Sequence, residues 1–148
     1  MHVETWQQCL PSHLDWEQLA TLLERAGLNQ RDPLLLRQAF AHSQFCWFAY
    51  QGERLVGTAR AVTDFTYVSY LADVAVDPDC QGQGLGRLLM NTLMSSLSPY
   101  GKVFLYAVPD KLDFYRKWGF HCLKTGMIQA EPEVCSRLFS AGYLLDPV

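Results

Sequence analysis

The stretch Tyr70-Leu71-Ala72-Asp73-Val74-Ala75-Val76-Asp77-Pro78 runs directly into Asp79-Cys80-Gln81-Gly82-Gln83-Gly84-Leu85-Gly86-Arg87. The apolar run reads as a buried strand, and the glycines after it read as a turn that opens a helix. Successive backbone N–H groups in such a turn converge on one point, and a helix N-terminus adds positive potential there. Glycine has no Cβ, so a ligand can approach the backbone closely. Phosphate binding is the chemistry this predicts. No lysine follows the glycines, so this is not a nucleoside-triphosphate loop. The spacing Gly82-x-Gly84-x-Gly86 also differs from the GxGxxG dinucleotide pattern, because position 87 is Arg and position 89 is Leu. The plain alternative is a glycine turn that only caps a helix.

Periodicity supplies the elements that must position this loop. A strand is expected at 2–8, then a helix capped by Ser12, with Asp15 in its first turn. Trp16, Leu19, Ala20, Leu23 and Ala26 have helical spacing, and Gly27 ends the run. Asp32-Pro33 opens a second helix, a cap followed by proline at the first helical position. Strands at 45–50 and 55–62 form a hairpin around Gln51-Gly52, and a third strand spans 67–76, buried on both faces. After the glycines, Leu85, Leu88, Leu89, Leu93 and Leu97 mark a helix, and 103–107 a short buried strand. A helix starts at Pro109-Asp110 and ends at Gly119, a last strand is expected at 120–129, and Pro132 to Ser140 read as a short helix. The class is mixed α/β (α+β).

Gln81-x-x-Gly84-x-Gly86, preceded by the strand and Val76-Asp77-Pro78, resembles the acyl-CoA pyrophosphate loop of the GNAT superfamily of N-acyltransferases. Downstream, Asp113-Phe114-Tyr115-Arg116-Lys117-Trp118-Gly119-Phe120 is similar to that family's FY-x-x-x-GF signature. Leu55-Val56-Gly57-Thr58-Ala59-Arg60-Ala61, the Asp73 strand and Gly126-Met127 look like a small single-domain branch that includes plastid-type acetyltransferases of arylalkylamines and protein lysines. The resemblance covers roughly residues 45–128 and implies one domain over 1–148, with 131–148 as a C-terminal extension. It implies a mostly antiparallel sheet of six or seven strands, splayed between the fourth and fifth and flanked by helices. Acetyl-CoA would lie in the splay as acyl donor. Its pyrophosphate would meet Gln81, Gly82, Gln83, Gly84, Leu85, Gly86 and Arg87. Its pantetheine would pair with the backbone of Val74, Ala75 and Val76, with the Val76 N–H facing the oxyanion.

Amine acetylation needs a neutral amine, a polarised thioester and an acid for the departing thiolate. Tyr115 occupies the family's position for that acid. Many relatives carry a glutamate base where this chain has Ala72, and alanine cannot accept a proton. Asp73 is the nearest carboxylate, as base or as partner of the substrate ammonium. Strand alternation points it away from the face of Tyr70, Ala72 and Val74 unless a bulge re-aims it. A buried structural role is its alternative, and His42, His121 or a water chain are further candidates for the base. Val108-Pro109-Asp110-Lys111 lacks the asparagine that holds pantetheine in many relatives. Cys80 stands where a bulky aromatic is common.

Over its 148 residues the chain is 49% hydrophobic and 13% aromatic, enough for one folded domain. Twelve basic against fifteen acidic residues leave a net charge of −3, so no nucleic-acid partner is expected. No apolar run is long enough to span a membrane. Five cysteines without CxxC spacing read as reduced thiols, so a cytoplasmic location is expected and no metal is. Phe45, Trp47, Phe48, Tyr50, Phe65, Tyr67 and Tyr70 are either core or an acceptor wall. The acceptor is expected to be a primary amine, on a small molecule or on a protein N-terminus or lysine. A silent acyl-CoA-binding module is the non-enzymatic alternative, and a homodimer is plausible for the family.

Overall fold

The computed structural model describes all 148 residues, Met1–Val148. They fall into two compact units, residues 1–105 and 106–148.

The first unit is a sheet of five strands in chain order: β1 (His2–Gln7), β2 (Phe45–Gln51), β3 (Arg54–Thr63), β4 (Val68–Val76) and β5 (Lys102–Phe104). The first four pair antiparallel and β5 joins β4 in parallel. Adjacent strand residues point to opposite faces, so each face collects its own core. Cys46, Phe48, Leu55 and Ala75 pack with Leu19, Leu23, Leu36 and Phe40 of the helices α1 (Trp16–Arg25) and α2 (Pro33–Ala41). Ala49 and Val56 pack with Cys80 and with Leu85, the first residue of α3 (Leu85–Leu97). Fully burying each of these leucines contributes about 2 kcal/mol.

Local chemistry starts the helices. The Asp15 carboxylate accepts from the N–H groups of Glu17 and Gln18 at 3.0 and 3.1 Å, so Asp15 caps α1 and the expected Ser12 does not. Asp15 directly precedes Trp16 and reaches the first free N–H groups, whereas residue 12 lies outside the helix. Gly27, at φ +92°, ends the run as expected. Asp32 caps α2, with Pro33 in its first turn. In α3, Leu85, Leu89, Leu93 and Leu97 are buried as the spacing required, with Met90 in place of Leu88.

The sheet departs from expectation at its open side. β5 pairs only with Val68, Ser69 and Tyr70, so the same edge of β4 has no strand partner from Leu71 to Val76. The parting of the fourth and fifth strands is therefore present, but the sheet has five strands, not six or seven. Tyr70, Val74 and Val76 are half-buried, which corrects the reading of this strand as buried on both faces. Residues 120–129 form no strand, because the second unit has no strand for them to pair with.

The second unit contains α4 (Leu112–Arg116) and α5 (Pro132–Ser140). Gly119, at φ +84°, turns the chain after α4, and the Tyr115 carbonyl accepts from Trp118 and Phe120. α5 occupies the residues its pattern predicted. No helix of the chain is long and apolar enough to cross a membrane.

Candidate active site

The loop from Asp77 to Arg87 is built from its own residues and held by two arginines of the first unit. Asp77 is almost fully buried and accepts the Asp79 N–H at 2.9 Å, which starts a single turn at Pro78–Cys80. Arg25 at the end of α1 and Arg54 at the start of β3 donate to the same Asp77 oxygen at 2.8 and 3.0 Å. Arg25 also reaches Asp79 at 3.0 Å. Gly82 and Gly84 both have φ above +80°, in the left-handed region that favours glycine. Gly84 is the N-cap of α3, and no side chain caps that end or places an acid in its first turn. The N–H groups at the start of α3 thus keep their positive potential. Cys80 is buried against Ala49, Val56 and Leu85, a small packing residue at the mouth of the loop.

The neighbouring edge of β4 carries a second row of free backbone groups. Asp77 N–H donates to the Val56 carbonyl of β3 at 2.8 Å. Backbone groups alternate along a strand, so the N–H groups of Val74 and Val76 face the other, unpaired edge. The Val76 carbonyl faces the same way and accepts from the Gln81 side chain at 3.5 Å. Val74 and Val76 thus share one open edge, Gln81 reaches it through the Val76 carbonyl, and Gly82 to Arg87 continue the chain from there into the start of α3. Ala75 turns its own backbone groups to β3, opposite Thr58.

Asp73 sits where this edge changes direction. Arg60 pairs with Ala72 and Thr58 with Ala75, so Ala59 faces both Asp73 and Val74 in a β-bulge. Asp73 itself adopts φ +54°. The bulge overturns simple alternation. Asp73 turns to the face of Ala72 and meets Arg60, the cross-strand partner of Ala72. Arg31 grips its two oxygens at 2.8 and 3.2 Å, and Arg60 Nε adds a bond at 2.7 Å. Burial alone would raise the Asp73 pKa, but the bonds and charges of Arg31 and Arg60 outweigh it and hold the carboxyl below its usual range. An acid of this kind is a poor proton acceptor near neutral pH.

This clamp has a pH signature. A lowered folded-state pKa means that the unfolded chain binds the proton more readily. The stabilisation is complete above the unfolded carboxylate value of about 4 and is lost as pH falls through the lower folded value. Asp73→Asn should cost about 2 kcal/mol at pH 7. Urea unfolding of both proteins from pH 7 to 2.5 should show that difference constant above about pH 5 and shrinking below about pH 4. A difference that does not change with pH would mean the clamp does not depend on the charge of Asp73.

Tyr115 lies in α4 of the second unit. Its ring meets Phe114 and Phe120 edge-on, at 5.1 and 5.8 Å between centroids. Burial pushes its phenol up to about 12. It therefore keeps its proton at neutral pH and is a weaker acid than an exposed tyrosine. His42 is exposed and bonded to the Gln38 carbonyl at the end of α2, and His121 is exposed. Phe45, Trp47 and Phe48 are core residues, with Phe45 stacked on Trp47 and Phe48 on Phe40. No group of three or more His, Cys, Asp or Glu is placed to hold a metal ion.

Residues 6–120 match the Acetyltransferase (GNAT) family. The chain belongs to this family. Serotonin N-acetyltransferase 2, chloroplastic, of Oryza sativa subsp. japonica is 37% identical over 113 residues, which are 72% of this chain and 56% of that protein. A GNAT-family acetyltransferase from Streptococcus pneumoniae superposes with a TM-score of 0.73 at 26% identity, over 88% of this chain and 98% of that one. An acetyltransferase from Clostridium acetobutylicum, solved with acetyl-CoA, shares the fold at a TM-score of 0.65 and 16% identity, over 89% and 98% of the two chains. The chain spans little more than half the length of the rice relative. Relatives from rice and Arabidopsis thaliana are chloroplast proteins, which overturns the cytoplasmic expectation.

In this GNAT chain the glycine turn and the strand before it are legible in the sequence, whereas the bulge and the arginines that support both are not. Arg25, Arg54, Arg31 and Arg60 look like ordinary surface charges in the sequence. Only Asp77-Pro78 carried a local sign, a cap followed by proline.

Proposed function

We propose that the protein is an acetyl-CoA-dependent N-acetyltransferase that acts by direct attack of a primary amine on the thioester. The observation that carries this reading is the unpaired edge of β4 running into an uncapped, glycine-lined helix start. Those groups match an acyl-CoA in order: Val74 and Val76 for the amide-bearing pantetheine, with the expected Ala75 left out because its backbone is paired to β3, and Gln81 to Arg87 for the pyrophosphate. The Val76 N–H serves the oxyanion, a role worth roughly a hundredfold or more in rate. Tyr115 donates the proton to the departing thiolate. This role rests on its place in the family signature. Asp73, held by two arginines, shapes the strand and leaves proton removal from the amine to another group, since no base stands at Ala72. The rice relative's name favours a small arylalkylamine over a protein lysine as acceptor, and a plastid as the place of action.

Thermal unfolding with acetyl-CoA, with CoA and with ATP tests the donor. Either thioester or free thiol at about one hundred times its Kd should stabilise the protein by ~2.7 kcal/mol, a rise of about 5–10 °C. ATP should give no comparable rise. No shift with any of the three would make the glycine loop only a turn. Thiol release with serotonin and with a lysine peptide then separates the two acceptor classes.

A further inference from the structure

We propose that Arg31 is a positioning residue for acyl transfer: with Arg60 it holds the Asp73 carboxylate and so fixes the β4 bulge that turns the Val74 and Val76 N–H groups to the open edge. Its consequence for transfer rests on the acyl-CoA reading above, while its premise is the geometry of the first unit alone.

Arg31 belongs to no strand. It lies in the connection between α1 and α2, one residue before the Asp32 cap. Asp73 is its hydrogen-bond partner, met side-on through Nη1 to Oδ2 at 3.2 Å and Nη2 to Oδ1 at 2.8 Å. Such two-point geometry is specific to a guanidinium, and a lysine ammonium cannot reproduce it. Arg60 is held independently. Its Nη1 donates to Ser43 Oγ at 3.3 Å, and its guanidinium lies 6.0 Å from the centre of the Phe40 ring. Arg60 therefore anchors the clamp to the sheet, and Arg31 closes it from outside.

The bulge needs this grip. A non-glycine residue at φ +54° is uncommon and persists only where its surroundings hold it. Released, Asp73 would relax toward extended backbone and the extra residue would leave the bulge. The register of β4 beyond it would then slip by one. A one-residue slip reverses every side chain and every backbone group that follows. Val74 and Val76 would turn their N–H groups to β3 and present the wrong groups to a pantetheine arm. The clamp thus joins the α1–α2 connection to the row of donors on β4.

Backbone amide NMR of the full chain tests this with Arg31→Met and Arg31→Lys, and with acetyl-CoA as the probe. In the ligand-free protein, Arg31→Met should raise hydrogen exchange at Ala75 about tenfold and leave the β1–β2 ladder unchanged, which also shows that the variant folds. Arg31→Lys should fall between the two. Added acetyl-CoA should shift the signals of Gly84 to Arg87 in every variant, but those of Val74 and Val76 strongly only in the wild type. Unchanged exchange at Ala75 in Arg31→Met overturns the proposal, whatever the ligand does. Equal shifts of Val74 and Val76 in wild type and Arg31→Met overturn it as well. If acetyl-CoA moves no loop signal even in the wild type, the acyl-CoA reading fails, and the exchange result still decides whether Arg31 holds the bulge.

Discussion

Replacing Tyr115 with phenylalanine should lower kcat for acetyl transfer about a hundredfold while leaving acetyl-CoA affinity within about twofold. The departing thiolate has a conjugate acid near pKa ~8.5, so a proton supplied as the C–S bond breaks makes departure easier. Burial pushes the Tyr115 phenol up to about 12, which keeps its proton in place but weakens it as an acid, so donation depends on the charge that builds on the sulfur as the C–S bond breaks. Phenylalanine keeps the edge-on contacts with Phe114 and Phe120, and the loss should therefore appear in rate rather than in folding. The check is a steady-state comparison of kcat, beside calorimetric titration of acetyl-CoA into both proteins. An unchanged kcat would remove Tyr115 from the chemistry. A loss of acetyl-CoA affinity equal to the loss of rate would make it a binding residue instead.

Gly84→Val should weaken CoA binding about a hundredfold and abolish its thermal stabilisation. Gly84 caps α3 at φ +82°, a conformation that valine, branched at Cβ, avoids. Forcing the backbone elsewhere rotates the first N–H groups of α3 away from their common target. The unliganded protein should lose only about 1–2 kcal/mol, the usual cost of a side chain in the left-handed region. A Cβ at this position would meet nothing within 4 Å, so the strain is in the backbone and not in packing. Gly84→Asn is the control, because asparagine tolerates the left-handed region and is a favourable N-cap. It should bind CoA better than the valine variant. Valine binding CoA as tightly as wild type would show that the helix start does not hold the pyrophosphate.

The loop was legible because its chemistry is local. A strand, three glycines at alternate positions and a leucine-spaced helix lie in one unbroken stretch, and each sets its neighbour's conformation. The Asp32-Pro33 cap, the Gln51-Gly52 hairpin and the short helix from Pro132 were legible for the same reason. Residues 120–129 were misread because their apolar content fits a strand, and a strand exists only where another strand offers hydrogen bonds. The cap at Asp15 was placed three residues early because Ser12 has the right chemistry and only helix geometry decides between them.

Residue type and short spacing set the chemistry on offer: a glycine-lined helix start suited to phosphate, a tyrosine in a family signature and the absence of a carboxylate at position 72. What Asp73 does depends on parts of the chain far from it in sequence. Its neighbours in the chain place it on the wrong face of a regular strand. The bulge that turns it, and the two arginines that lower its pKa, come from β3 and from the connection between two helices. The same holds for the open edge of β4. It exists because β5 stops pairing after Tyr70, and where one strand's partner ends is a matter of how strands meet in space.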